Sequence, residues 1–506
     1  MATLQTYDEL PYDSLPLPET QPDFLAAVAW LHGFEAPHPH HIRVLELGCA
    51  SGGNLIPLAF HHPESEYIGI ELSRLQAQAG ARFVAELGLG NVHIVHADLA
   101  ELPPNLGKFD YILAHGVFSW VPPAVQQALL RVCHAHLNPH GLAYISFNVM
   151  AGWQQLLPLR EALLASTDAS LPAPQRVARA REVLNQLEAE WEDPHLLQEI
   201  AHLKTAAPSY LFHEFLAEYN TPITFLDFAQ QLDDEGLRYV GEAGPRRAVV
   251  ELENTWGLTP DPFAARWREA EAALDEVLQT RFRRALISLA DAPAAHPPEL
   301  AQLSQLAFYC DLTCDAEIDL DTHCEQEFIN TAGNRFRVTN PMLKAALMAL
   351  TVVYPAALSY ADWIHATNEL MAHFEASGSR DETEFRVALF SLVMVQGVLP
   401  SWESQAYAPP NDATPKAHAL ARKQATTPGW VVSGVRQVAL GLDEPGRALL
   451  ALLDGTKTID QLTLSMQHVL KTVGHELDAE RVGSLVQQKI GLFARQGLLH
   501  ATSENT

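Results

Sequence analysis

Five short apolar runs punctuate the first 150 positions, at 43–47, 67–73, 92–99, 109–116 and 141–148, each rich in branched or aromatic residues. Between them, apolar residues recur every three or four positions. Runs of four to eight such residues predict buried strands, and the intervening period predicts helices. Strand and helix alternating in this order predict a parallel, doubly wound sheet. Residues 236–243 and 282–289 read as a sixth and a seventh strand, the last preceded by a helix from about Pro262.

The period changes between the fifth and sixth runs. Leu156, Leu159 and Leu163, then Val177, Val183, Leu184, Leu187 and Trp191, are spaced as one helix face, with Pro172 and Pro174 as a break and Asp193-Pro194 as a fresh start. This predicts a helical insertion over 154–228. A proline-rich stretch at 292–298 reads as a linker, and a polar, proline-rich stretch at 401–428 as a second break. The expected units are therefore 1–295, 296–415 and 425–506. The last two share a plan of three helices closed by Gln396-Gly397-Val398-Leu399 and Gln496-Gly497-Leu498-Leu499, which suggests two winged-helix-like α+β modules. Residues 1–30 carry several prolines and the amphipathic run from Phe24 to Leu31, and read as a lid over one edge of the sheet.

Chemistry concentrates where the strands end. Glu46 closes the first, followed by Gly48, Cys49, Ala50, Ser51, Gly52, Gly53 and Asn54 and then a helix. Glycines let backbone approach a ligand, and the helix start leaves N–H groups unpaired. Glu71 and Leu72 end the second strand, where a carboxylate accepts the two hydroxyls of a ribose. Asp98 and Leu99 end the third, where an adenine amino group is within reach. The G-x-G-x-x-G spacing of dinucleotide sites is missing, and Glu46 repels a pyrophosphate while suiting a cationic, amino-acid-bearing ligand.

These features resemble the class I S-adenosylmethionine-dependent methyltransferases, apart from Ala50 where most have glycine. Tyr7 to Tyr12, Pro18 to Pro22, Gly48 to Asn54, His115-Gly116-Val117-Phe118-Ser119-Trp120-Val121-Pro122 and Tyr210-Leu211-Phe212-His213-Glu214 narrow the resemblance to members with a methyltransferase regulatory domain, including the rickettsial-type protein lysine methyltransferases. The resemblance implies a Rossmann-like sheet with a helical insertion and S-adenosylmethionine as cofactor. Tyr12, Glu46, Gly48, Cys49, Ala50, Gly52, Asn54, Glu71, Leu72, Asp98, Leu99, His115 and Gly116 would hold the cofactor. His115, Trp120, Trp153, His213 and Glu214 would face the acceptor, beside Phe118, Ser119 and Asn148. The implied reaction is methylation of protein lysine. Methylation of a small molecule or peptide natural product at N or O is the alternative, and a cofactor-binding scaffold without turnover a second. Phe147-Asn148-Val149-Met150-Ala151-Gly152-Trp153 lacks two tyrosines that the family carries near the acceptor.

Charge sharpens the partner class. The 61 acidic against 33 basic residues give a net charge of −28, which repels phosphate backbones and attracts a basic, lysine-rich protein or a cationic cofactor. Nucleic acid is therefore not expected. Five cysteines are an odd number, and Cys310, Cys314 and Cys324 with His323 lack paired metal-ligand spacing, so reduced thiols without metal are expected. His38, His40 and His41 lie among prolines and are expected to bind nothing. With no apolar run of about 18 residues and no basic leader, a cytoplasmic protein free of the membrane is expected. The apolar insertion offers a surface for a homodimer.

Overall fold

The computed structural model describes residues 10, 13–244, 260–293, 298–407, 413–472 and 474–500. Its centre is a seven-stranded sheet of β1 (Arg43–Leu47), β2 (Glu66–Glu71), β3 (Val92–His96), β4 (Phe109–Ala114), β5 (Leu137–Asn148), β6 (Leu237–Glu242) and β7 (Phe282–Leu289), in the order β3-β2-β1-β4-β5-β7-β6. All pairs are parallel except those of β7, which runs antiparallel to β5 and β6. Because Phe282 at the start of β7 pairs with Asn148 at the end of β5, it joins the edge where β1, β2 and β4 finish.

Alternate side chains of the strands enter opposite layers, and in the central strands β1, β4 and β5 both layers are buried. Leu45, Leu47, Ile112, Ile145 and Phe147 pack on one face; Val44, Tyr67, Tyr111, Leu113 and Tyr144 pack on the other. Two-sided burial explains why these strands read as near-continuous apolar runs. The insertion has its own core, in which Trp153, Leu156, Leu159 and Leu163 meet Val183, Leu184, Phe212 and Phe215.

Helix Pro22–Leu31 departs from the amphipathic lid expected of it. Phe24 to Ala29 and Leu31 are buried, because one side of the helix packs on the sheet and Ala27 and Leu31 enter the core of the middle module. Asp23 is buried with it, accepting hydrogen bonds from Ser401 Oγ at 2.6 Å and Trp402 N at 3.1 Å. Burial pushes the Asp23 carboxyl above its usual range, with nearby Arg436 opposing. The segment that straps the ligand edge is the one before it, from Ser14 to Thr20.

In the middle module, β8 (Ala307–Tyr309) lies between two later strands. A hairpin of β9 (Gln326–Ile329) and β10 (Arg335–Val338) precedes the first helix, and β11 (Leu358–Ser359) and β12 (Leu399–Ser401) flank β8. Helices Pro341–Val353, Tyr360–His373 and Glu382–Met394 cover them. The last module repeats the arrangement in reduced form. Lys416 and Ala417 bridge to Asp454 and Leu499, with helices Glu444–Leu452, Ile459–Thr472 and Ala479–Arg495 around them. This module leans on the sheet domain, where Trp430 stacks on Phe83 at 3.6 Å and Lys423 pairs with Glu86. Among the described residues, no helix is long and apolar enough to cross a membrane.

Candidate active site

The loop after β1 is held open by backbone geometry. Gly48, Ala50 and Gly52 take positive φ values of 73°, 51° and 81°. A Cβ on Gly48 would lie 2.6 Å from Val117, so glycine is what allows the loops after β1 and β4 to touch. Ala50 accepts the left-handed conformation with its methyl, and its N–H donates to Glu71 Oε2 at 2.9 Å. Ser73 N donates to the other oxygen of Glu71 at 2.7 Å, which fixes the carboxylate at the end of β2.

Glu46 is the electrostatic centre of this cluster. Its side chain is 4% exposed, and Oε1 accepts from Asn54 Nδ2 at 3.0 Å. Oε2 is buried without a hydrogen-bond partner among the described residues. Burial raises the Glu46 pKa to about 8, Asn54 pulls it down, and the charge of Glu71 pushes it up further. A buried carboxylate oxygen without a donor is costly, and an ammonium group that supplies one relieves the cost. The amino-acid end of S-adenosylmethionine fits this oxygen by charge and donor capacity.

A strap closes over the same loop. Gly53 N donates to Ser14 Oγ at 2.7 Å, while Asn54 Oδ1 accepts from Leu17 N at 3.0 Å and Thr20 Oγ1 at 3.1 Å. On the opposite flank Leu72, Leu75 and Val95 are exposed apolar side chains, a surface suited to a flat base. Asp98 is half-buried and accepts from Ala100 N at 2.9 Å, capping the turn that carries Leu99. Cys49 turns its thiol away from the loop and onto β2, where a Cβ on Gly69 would lie 2.5 Å from the sulfur. Tyr12 lies outside the described residues.

His115 and Gly116 follow β4. Gly116 is exposed with φ 66°, nothing would lie within 4 Å of a Cβ there, and its N–H donates to Ser146 Oγ at 2.8 Å. His115 Nδ1 is hydrogen-bonded to Tyr144 Oη at 2.8 Å, and the two rings stack. Phe282 meets His115 edge-on from β7. Burial lowers the His115 pKa, with Glu19 opposing and Arg284 assisting. Glu19 and Arg284 pair with each other at 3.2 Å.

Side-chain hydrogen bonds extend from there into the insertion. Ser119 Oγ accepts from Asn148 N at 2.8 Å, Asn148 Nδ2 donates to Asn220 Oδ1 at 2.9 Å, and Asn220 Nδ2 donates to the Glu214 carbonyl at 2.9 Å. The structure thus links Ser119, Asn148 and Glu214 in one path. His213, on one π-helical turn of Phe212–Leu216, bonds through Nε2 to the Leu10 carbonyl at 2.7 Å. Burial holds its pKa below the usual histidine range. Trp153 packs on Phe215 in the insertion core, and Trp120 is buried with its indole N–H unpartnered among the described residues.

Four contributors escape motif reading: Tyr144, Ser146, Asn220 and, within the strap, Ser14. Tyr144, Ser146 and Asn148 stand two apart on β5 and therefore share a face, a signal present in the run itself. Asn220 and Ser14 carry no local pattern.

Comparison with known proteins follows the same geometry. Residues 44–141 match a methyltransferase domain model, and residues 207–288 a predicted methyltransferase regulatory domain. An uncharacterized protein of Rickettsia prowazekii is 27% identical over 510 residues, covering 96% of this chain and 89% of its own. A second from the same organism is 32% identical over 232 residues, covering 45% of this chain and 93% of its own. The solved structure of PKMT2 from Rickettsia typhi in complex with AdoHcy is similar in fold, with a TM-score of 0.80 and 23% identity, covering 97% of this chain and 100% of that one.

Proposed function

The chain belongs to the S-adenosylmethionine-dependent methyltransferases that carry a methyltransferase regulatory domain, and from there we propose that its acceptor is the side-chain amine of lysine in a protein. The cofactor's sulfonium already makes the methyl carbon electrophilic, so the chain's task is to place the acceptor in its neutral form. The observation that carries this reading is the aromatic His115–Tyr144 pair, a half-buried histidine on a buried tyrosine, at the end of β4 beside the Glu46 loop.

A lysine attacks only as the neutral amine. Transfer into a desolvated aromatic site disfavours its ammonium form. In the tautomer where Nδ1–H donates to the Tyr144 oxygen, His115 keeps Nε2 as a lone pair that accepts a hydrogen bond from the neutral amine and orients it, the proton having been lost to solvent as the amine enters. Gly116 leaves open space next to it for the acceptor. The net charge of −28 favours a basic polypeptide over an anionic metabolite. The likeness to PKMT2 along the whole chain adds support.

Incubation with methyl-labelled cofactor and a panel of lysine-rich proteins, followed by mass spectrometry, tests the acceptor class. Label on lysine side chains is the expected result. Label found only on small amines or hydroxyl compounds would replace this reading with the small-molecule one, and cofactor binding without transfer to any acceptor would favour a scaffold.

A further inference from the structure

The last module reaches the cofactor loop directly. The turn between strands Val432–Ser433 and Ala439–Leu440 carries Arg436 and Gln437, which are 3% and 2% exposed. Gln437 has a left-handed backbone, φ 56°, and its Nε2 donates to the Asn54 carbonyl at 2.9 Å, 383 residues away along the chain. The turn is pinned on every side. The Arg436 carbonyl accepts from Gln21 Nε2 at 2.9 Å, and Arg436 Nε donates to the Pro355 carbonyl at 2.9 Å. Its guanidinium lies 4.0 Å above the Tyr309 ring.

Three polar atoms of Asn54 are thereby committed. Its amide oxygen holds the strap, its amide nitrogen holds Glu46, and its carbonyl is held by Gln437. A shift of the Asn54 backbone would move the donor on Glu46 Oε1 and with it the direction of the unpartnered Oε2.

We propose that Gln437 is a positioning residue for the cofactor site: through the Asn54 carbonyl it sets the Glu46 carboxylate, so that docking of the C-terminal module and cofactor affinity are coupled. The coupling is reciprocal by thermodynamic linkage. It concerns the cofactor half of the site and holds whatever the acceptor is.

The test is calorimetric titration of the full-length protein with S-adenosylmethionine, comparing wild type, Gln437→Met and Gln21→Met. Methionine matches glutamine in length and lacks the donor, and Gln21→Met removes the neighbouring contact to the same turn. About tenfold weaker binding in Gln437→Met is expected, with a smaller loss of about threefold in Gln21→Met, which loosens the turn but leaves the Asn54 contact in place. Amide hydrogen exchange on the wild type alone gives a second readout. Cofactor should slow exchange at Val435 and Gln437, whose N–H groups bond to Gln496 and Gly434. A folded Gln437→Met that binds as wild type does, whatever its melting temperature, overturns the proposal. So does wild-type exchange in this turn that cofactor leaves unchanged.

Discussion

Asn54 donates its side-chain amide to one oxygen of the buried Glu46 carboxylate at 3.0 Å, and the other oxygen has no partner among the described residues. The pair sits at the end of β1, between the strap and the C-terminal turn, and burial of the carboxylate without a second donor is electrostatically costly. Burial raises the Glu46 pKa to about 8 against an ordinary 4.5. Between those values the folded chain holds a proton that the unfolded chain has released, so this group's contribution to stability falls as pH rises from about 4.5 to 8. Glu46→Gln removes the effect. The cofactor-free variant should melt higher than wild type at pH 8.5 and match it near pH 4.5, as scanning calorimetry would show.

The same carboxylate sets a pH dependence of binding. An ammonium ligand needs Glu46 ionised, so cofactor affinity should rise by up to about tenfold per pH unit below 8 and fall again where the ligand's own ammonium deprotonates. Titrations from pH 6 to 9 would show this, and a flat profile would remove Glu46 from ligand contact.

Tyr144→Phe deletes the oxygen that holds His115 Nδ1 and leaves the stacked ring. We expect kcat to fall by about tenfold or more while cofactor affinity stays within twofold, because the proposed function sets the pair on the acceptor side. Equal losses in both quantities would make Tyr144 a structural residue.

Gly53→Ala probes the strap. Its Cβ would fall 2.0 Å from the Ser14 carbonyl oxygen, and backbone cannot yield that far. Loss of the Ser14 and Asn54 contacts should expose the segment from Ser14 to Thr20 to proteolysis and weaken cofactor binding, at a cost of about 1–3 kcal/mol in stability.

Much of this architecture is legible in the chain. The strands are, because burial on both faces leaves an unbroken apolar signature such as that of Tyr111 to Leu113, and the β1 loop is, because Glu46 and the glycines around it are local. The role of Phe24 to Leu31 is not legible, because a helix packed on two sides is indistinguishable by period from a one-sided helix until its second partner is known. The bond from Gln437 to Asn54 has no local trace, since its residues lie far apart in sequence and the turn that carries Gln437 looks like any polar turn. His115 was legible from its place after a strand; its partner Tyr144 reads as ordinary core.

Acid should loosen the last module. His61 meets His418 at 5.8 Å between ring centres, and His418 meets His500 at 4.2 Å. Burial and mutual repulsion lower the pKa of His61 to about 3 and of His418 to about 4. Their neutral forms support docking above pH 6.5, and that support is lost as pH falls toward 4. Limited proteolysis at pH 7.5 and 4.5 should show faster cleavage around the module at the lower value, and His418→Gln should reduce the difference.

The most direct measurement is calorimetric titration with S-adenosylmethionine at pH 8.5 for wild type and Glu46→Gln. One site is expected on the wild type and binding weakened by about a hundredfold or more in the variant, with the fold intact by circular dichroism. Equal affinity in the two proteins would contradict this expectation, because the unpartnered oxygen at the end of β1 would then hold nothing.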